Sequence, residues 1–232
     1  MSHDSAFTKV ILAFALSFMI VLQALASSAT TSEQQTIRFK VMLDDKPIGF
    51  HKVRIERRDG DKTVHTEANF DVRVLFVPVY SYDHETREQW SNGCIVDLAS
   101  RTDDNGDDHF VRVERQGGQV TVQTRRGSAR YDDCVRSFAY WDVGLLDSGR
   151  LLNTQTGEYQ AVEIVQRGST TYQVDGVELA AQQYHLQGDG IAIDLWYTPD
   201  RRWLALESKT ESGAILRYVP DNPQLLAQGT DQ

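Results

Sequence analysis

Between Val64 and Phe76 the even positions read Val, Thr, Ala, Phe, Val, Val, Phe, and the odd positions read His, Glu, Asn, Asp, Arg, Leu. Successive side chains of an extended chain point to opposite faces, so a period of two marks a strand with one buried face. Thirteen residues at ~3.3 Å each span roughly 43 Å, about twice an ordinary strand. Right-handed twist accumulates over that length, so the sheet that holds this strand has to curl. Pro78 follows directly and lacks a donor N–H, so a break or bulge is expected there.

The pattern recurs along the chain. Ile37, Phe39, Val41 and Leu43 alternate before the turn "DDKP", and Ile48 and Phe50 begin a second strand whose apolar parity changes at Val53 and Ile55. One extra residue near His51 and Lys52, a bulge, accounts for that change. "RRDGD" then turns the chain into the long strand, and "RGSTT", "VDGVE", "QGDG", "TPDRR" and "ESGA" punctuate apolar runs from Glu158 to Tyr218. The expected fold is all-β and mainly antiparallel: a long-stranded curled meander or half-barrel, with one short irregular or helical segment around residues 137–150. It forms a single domain over 36–220, behind a flexible segment at 27–35 and ahead of a disordered tail at 221–232.

"SRTDDNGDDHFVRVER" places oxygen-bearing side chains from Asp103 to Glu114 at nearly the spacing of an EF-hand calcium loop. The sixth position is Asp108 where the sharp turn needs Gly, and Phe110 to Arg115 alternates like a strand where a helix should start. A two-residue hairpin loop at Asn105-Gly106 fits better, pairing Asp104 with Asp107, Thr102 with His109, Ser100 with Val111 and Leu98 with Val113. No metal site is expected. In the preceding hairpin, a three-residue loop after Trp90 pairs Trp90 with Val96 and Thr86 with Ser100. Tyr80, Tyr82, His84, Thr86, Glu88 and Trp90 then line the face of Leu98 and Val111, whereas a two-residue loop would turn this strip to the other face.

The first residues set the compartment expected for the chain. Val10 to Val21 is an unbroken apolar run behind Lys9, and Ala24-Leu25-Ala26 fits the cleavage pattern of a secretory signal covering residues 1–26. The run is shorter than the ~20 residues of a spanning helix, so the mature chain is expected to have no transmembrane span and to be periplasmic. Asp4 and Lys9 cancel, which leaves the net charge of −9 on the remaining 232 − 26 = 206 residues. A chain so acidic is a poor partner for nucleic acid, whose phosphates must be neutralised. Cys94 and Cys134 are an even pair in an oxidising compartment, which favours a disulfide over two free thiols or a nucleophile. The loop it would close, 134 − 94 = 40 residues, is worth ~4 kcal/mol on the chain-entropy model.

"KPIGFHKV", "FDVRVLFVPVYSYDHE", "WSNGCIVDLASRTDDNG", "SFAYWD" and "IDLWYTPDRRWLALES" together resemble an uncharacterised family of exported bacterial proteins carrying a domain of unknown function. The closing "WYTPDRRWLALES" is also similar to a second, broader periplasmic family. The resemblance implies a Gram-negative cell envelope and a curved antiparallel sheet, distantly like the half-barrel lipoprotein carriers of the Lol type. It implies no catalytic residues.

Nor do the residues themselves show any. Gly-x-Ser-x-Gly, His-Glu-x-x-His and a phosphate-binding Gly-rich loop are missing, and His51, His65, His84, His109 and His185 are scattered. The expected function is therefore non-catalytic binding of an apolar or amphipathic molecule, a lipid or glycan, on the concave face, with no cofactor. The candidate contacts are Tyr80, Tyr82, His84, Glu88 and Trp90, with Phe138, Tyr140 and Trp141 brought close by the disulfide. A structural role with an envelope protein partner is the alternative, and an envelope hydrolase a further one.

Overall fold

The computed structural model describes residues 32–74, 76–132 and 134–227; the expected signal segment 1–26 lies outside them. The chain builds one unclosed, curled sheet of fourteen antiparallel strands. Eight come first: β1 (Glu33–Leu43), β2 (Lys46–Arg58), β3 (Asp61–Val74), β4 (Val77–Ser91), β5 (Cys94–Asp104), β6 (Asp107–Gln116), β7 (Gln119–Thr124) and β8 (Gly127–Tyr131). After a crossing segment come β9 (Arg150–Leu152), β10 (Tyr159–Val174), β11 (Val177–Gly188), β12 (Ile191–Tyr197), β13 (Trp203–Lys209) and β14 (Ile215–Pro220).

Successive strands pair with one another except β8 and β9, and one seam joins β1 to β14 and places Val41 opposite Tyr218. The two free edges are β8 and β9. Between them the chain crosses from Asp132 to Gly149, with a 3₁₀ turn over Val143–Asp147. Val135, Ala139, Trp141 and Leu145 of this segment are buried in the main core. It therefore packs against the concave face. Backbone bonds hold it there, from Ile95 N to Val135 O at 2.9 Å and from Leu152 N to Arg136 O at 2.7 Å. The disulfide Cys94–Cys134 fastens its start to β5, with Cα atoms 5.1 Å apart.

The alternation that defines the long strand is present in β3, where Val64, Thr66, Ala68 and Phe70 are buried. Its end differs from expectation, because Phe76 is 94% exposed at the tip of the β3–β4 hairpin. Pro78 sits inside β4 beside a register shift at Val72 and Arg73, so the proline is accommodated as a bulge after the turn. In β2 the bulge falls at Ile48, not near His51: Val41 faces Gly49 and Met42 faces Pro47. His51 consequently shares the inner face with Val53 and Ile55. Phe50 points outward, where the Arg38 guanidinium lies 4.3 Å from its ring centre.

The hairpin at Asn105-Gly106 has the expected register, with both residues at positive φ. Asp103 caps its turn by accepting a hydrogen bond from Gly106 N at 2.7 Å. The loop before it is corrected. Asn92-Gly93 forms a two-residue turn and Trp90 faces Ile95, not Val96. A register shift at Gln89 and Trp90 then restores Glu88 to Leu98 and Thr86 to Ser100, so the strip stays on the inner face. "RGSTT" is no turn either: Arg167 bulges within β10 and Gly168 takes φ 113°. At the termini, Glu33 to Gln35 pair with β2 where a flexible segment was expected, and Pro223–Ala227 form one helical turn, α1, in the expected tail. Among the described residues no helix is long and apolar enough to cross a membrane.

Candidate functional site

The inner face of the curl is not uniformly apolar. Trp90, Ile95, Leu98, Val111 and Val113 pack its β4–β6 end against Trp141 and Leu145 of the crossing segment. Further along β4 the inward residues become Glu88, Thr86, His84, Tyr82 and Tyr80, and His51 and Thr66 approach from β2 and β3. The seam between β1 and β14 adds Tyr218, whose ring centre lies 5.1 Å from that of His51. His51, Tyr82, His84 and Tyr218 border a cleft of about 350 Å³, closed on other sides by Phe138, Tyr140, Gln155 and Gln160. A smaller chamber of about 60 Å³ shares the walls His51, His84, Phe138, Tyr140 and Thr154 with it and reaches Glu88.

Hydrogen bonds fix most of this lining. His84 Nδ1 lies 2.7 Å from Thr102 Oγ1, and its Nε2 lies 3.3 Å from Thr154 Oγ1. Tyr82 donates to Gln155 Oε1 at 3.2 Å, while the Gln155 amide and the Tyr80 hydroxyl both donate to Asp104, at 2.8 and 2.9 Å. Asn153 holds that loop by accepting from the backbone N–H groups of Gln155 and Thr156. Two buried side-chain atoms of the cleft lining have no such partner among the described residues: His51 Nδ1 and Gln160 Oε1. Buried polar atoms are nearly always paired, so two orphans on one cleft mark where a ligand atom would complete the network.

The imidazoles and phenols of the cleft are uncharged, and Asp189 is the one carboxylate among its lining residues. Burial, with the neighbouring His84, lowers the His51 pKa to about 3, and burial lowers that of His84 to about 4 against the opposing pull of Asp83. Both imidazoles are neutral at pH 7. Burial also raises Tyr82, Tyr140 and Tyr218 well above the ordinary phenol range, so all three keep their protons. Glu88 is 4% exposed and its pKa is raised to about 7 by burial, partly offset by hydrogen bonds from Trp90, Thr86 and Ser137. Trp90 Nε1 donates to one of its oxygens at 2.7 Å and Thr86 Oγ1 to the other at 3.1 Å. The disulfide takes both Cys94 and Cys134, which removes any cysteine nucleophile.

The residues singled out from the sequence thus separate into three groups. Tyr82, His84, Phe138 and Tyr140 meet on the cleft. Glu88 and Trp141 lie at the deeper chamber, and Trp90 packs edge-on against Trp141 with ring centres 5.3 Å apart. Tyr80 stands outside both, bonded to Asp104. His51, Gln160 and Tyr218 were missed. The run Gly49, His51, Val53, Ile55 carries a signal for His51, because a bulge before Gly49 instead of after Phe50 puts the imidazole inside. A larger depression of about 790 Å³ on the outer face is walled by exposed charges such as Glu85 and Arg101. Its Arg87 pairs with Glu85 at 3.0 Å.

The fold is similar to that of a beta-barrel-like protein of domain of unknown function DUF1849 from Brucella abortus. The two are 10% identical with a TM-score of 0.54, over 82% of this chain and 97% of the other. That likeness concerns the fold alone. No curated protein matches the sequence. The model of the family described as "Domain of unknown function (DUF6134)" matches residues 39–221, and the chain belongs to this family.

Proposed function

We propose that the protein is exported to the periplasm of a Gram-negative envelope and binds a small, uncharged amphipathic molecule in the concave cleft, without catalysis. The observation that carries this reading is the pair of orphaned buried atoms, His51 Nδ1 and Gln160 Oε1, on a cleft where the rings of Tyr82, Phe138, Tyr140 and Tyr218 stand beside Ile191, Ile193 and the polar Asn153 and Thr154. A volume of about 350 Å³ is near the lower end for small-molecule sites. It suits one sugar ring or the end of a single lipid chain better than a two-chain lipid. Neutral histidines and protonated tyrosines favour hydroxyl or amide groups over charged ones.

Native mass spectrometry of protein purified from its own envelope, with a fluorescent single-chain lipid and a neutral oligosaccharide as probes, tests the reading. One probe or a co-purifying small molecule should bind, and His51→Leu should weaken that binding by about tenfold, the worth of one buried hydrogen bond. A clean protein mass, no probe binding and a His51→Leu variant that is simply more stable would mean that the cleft is packing. N-terminal sequencing of the exported chain should begin at Ser27; a start at Met1 on membrane-bound protein would refute cleavage.

A second reading rests on the β3–β4 tip, where Phe76, Val77 and Val79 are 94%, 60% and 50% exposed. Large apolar side chains grouped at one exposed tip fit contact with an envelope protein partner. Phe76→Ser should abolish capture of that partner while leaving the cleft probe bound.

A further inference from the structure

On the far side of Trp141 and Trp203 from the chamber lies a groove of about 760 Å³. We propose that it is a separate site for the anionic head of a single-chain amphiphile, a carboxylate or a phosphate monoester. The inference does not depend on the cleft being occupied.

The inner faces of β1, β2 and β3 change character as they approach this end. Phe39, Val53, Ile55 and Val64 are fully buried; the next inward positions on β2 and β3 are Arg57 and Lys62, and on β1 Ile37 and then Gln35. Inward-facing cations at the end of a continuous apolar stripe are not needed to keep a strand in register. The turn between β12 and β13 adds Arg201 and Arg202, and β1 adds Arg38. Arg201 takes φ 65° within that turn, whose backbone closes through Arg201 N to Thr198 O at 2.8 Å.

The charge is unbalanced. Five cations and three carboxylates line the groove in a chain whose net charge is −9. Each carboxylate has a cation of its own: Asp221 with Arg38 at 2.9 Å, Asp142 with Lys62 at 3.2 Å and Asp200 with Arg202 at 2.6 Å. Arg57 and Arg201 remain, and the Arg57 guanidinium donates to the neutral Gln35 Oε1 at 3.0 Å. Two guanidiniums without a carboxylate of their own among the described residues suit a carboxylate or phosphate, which accept forked hydrogen bonds. Beside them Ile37, Trp141 and Leu226 offer apolar wall, and Lys62 already lies 5.1 Å from the Trp141 ring centre. An ion without an apolar body would leave that wall uncovered, and a neutral amphiphile would leave the guanidiniums unanswered.

Titrating the purified full chain with dodecanoate, dodecyl phosphate, dodecyl maltoside and dodecyltrimethylammonium, all below micelle formation, reads the preference through tryptophan fluorescence. The two anions should bind about tenfold or more tighter than the neutral and cationic detergents, and high salt should weaken them. The double variant Arg57→Gln, Arg201→Gln should lose that preference while keeping its melting temperature and its affinity for the cleft probe. Tyr82→Ala should do the reverse, so failure of either site is seen separately. Equal affinity for all four head groups, or an unchanged preference in the double variant with its fold intact, would overturn the proposal. If the double variant does not fold, Arg201→Gln alone decides, because Arg201 is exposed.

Discussion

Replacing Glu88 with glutamine should change the shape of the stability curve with pH, and by a calculable amount. The carboxyl is 4% exposed, and its pKa stands at about 7 against an ordinary 4.5. A group whose pKa is raised on folding contributes its stability fully below the unfolded value, here 4.5, and loses it as pH rises through about 7. At ~1.4 kcal/mol per pH unit, the gap between the two values corresponds to ~3 kcal/mol of stability lost by the wild type between about pH 4.5 and 7.

The amide that replaces the carboxyl in Glu88→Gln does not titrate, so the variant escapes this loss. At about pH 5 the variant should be somewhat less stable than wild type, since an amide offers one acceptor where Trp90 and Thr86 now use two oxygens. Towards about pH 8 the difference should swing by ~2–3 kcal/mol in favour of E88Q. His51 and His84 oppose the trend within each protein. Their lowered pKa values mean stability that is present above the ordinary 6.5 and is lost as pH falls towards about 4 and 3. They are the same in both proteins and cancel when the two are compared at one pH. Urea unfolding of wild type and E88Q at four pH values measures the swing. A difference between them that stays constant from pH 5 to 8 would show that Glu88 titrates normally, and that the chamber is wet.

The remaining predictions are structural. Cys94→Ser should lower stability by ~4 kcal/mol on the chain-entropy model, for a bridge closing a 40-residue separation. A reductant should lower the wild-type melting temperature similarly and leave the variant unchanged; two titratable thiols in the unreduced, denatured protein would end the argument. Gly49→Ala should be among the most damaging single changes, at ~3 kcal/mol or more, because a β-carbon there would stand 1.8 Å from Asn69 O of the neighbouring strand. A variant melting within a degree or two of wild type would show that β2 and β3 are not held at this spacing.

Much of the fold was legible because strands and tight turns are written locally. Asn105-Gly106 adopts the left-handed backbone of a two-residue hairpin, and that turn alone sets which residues of β5 and β6 face each other. Asn92-Gly93 shows the limit. The inward face of β4 follows even from an incorrect loop, because a tighter turn and a bulge add up to the same register as a longer turn without one. His51 was hidden for a related reason. A parity change shows that a bulge exists, yet placing it three residues late exchanges Phe50 and His51 between solvent and interior.

The sequence by itself determined the all-β class, the curl, the shared face of the strip from Tyr82 to Trp90 and the cysteine pair, since each depends on side chains close together along the chain or on a count, whereas the register shift at Gln89 and Trp90 decided that the strip faces inward. Only the tertiary structure decided the site. Tyr218 reaches His51 because β14 pairs with β1, joining Val41 to Tyr218 across the whole length of the domain. Phe138 and Tyr140 reach Tyr82 and His84 because the chain between β8 and β9 crosses the concave face, held by the disulfide and by Ile95 N to Val135 O. No local pattern specifies such partners. They follow from which closure buries most apolar surface while pairing the backbone, and that is a property of all fourteen strands together.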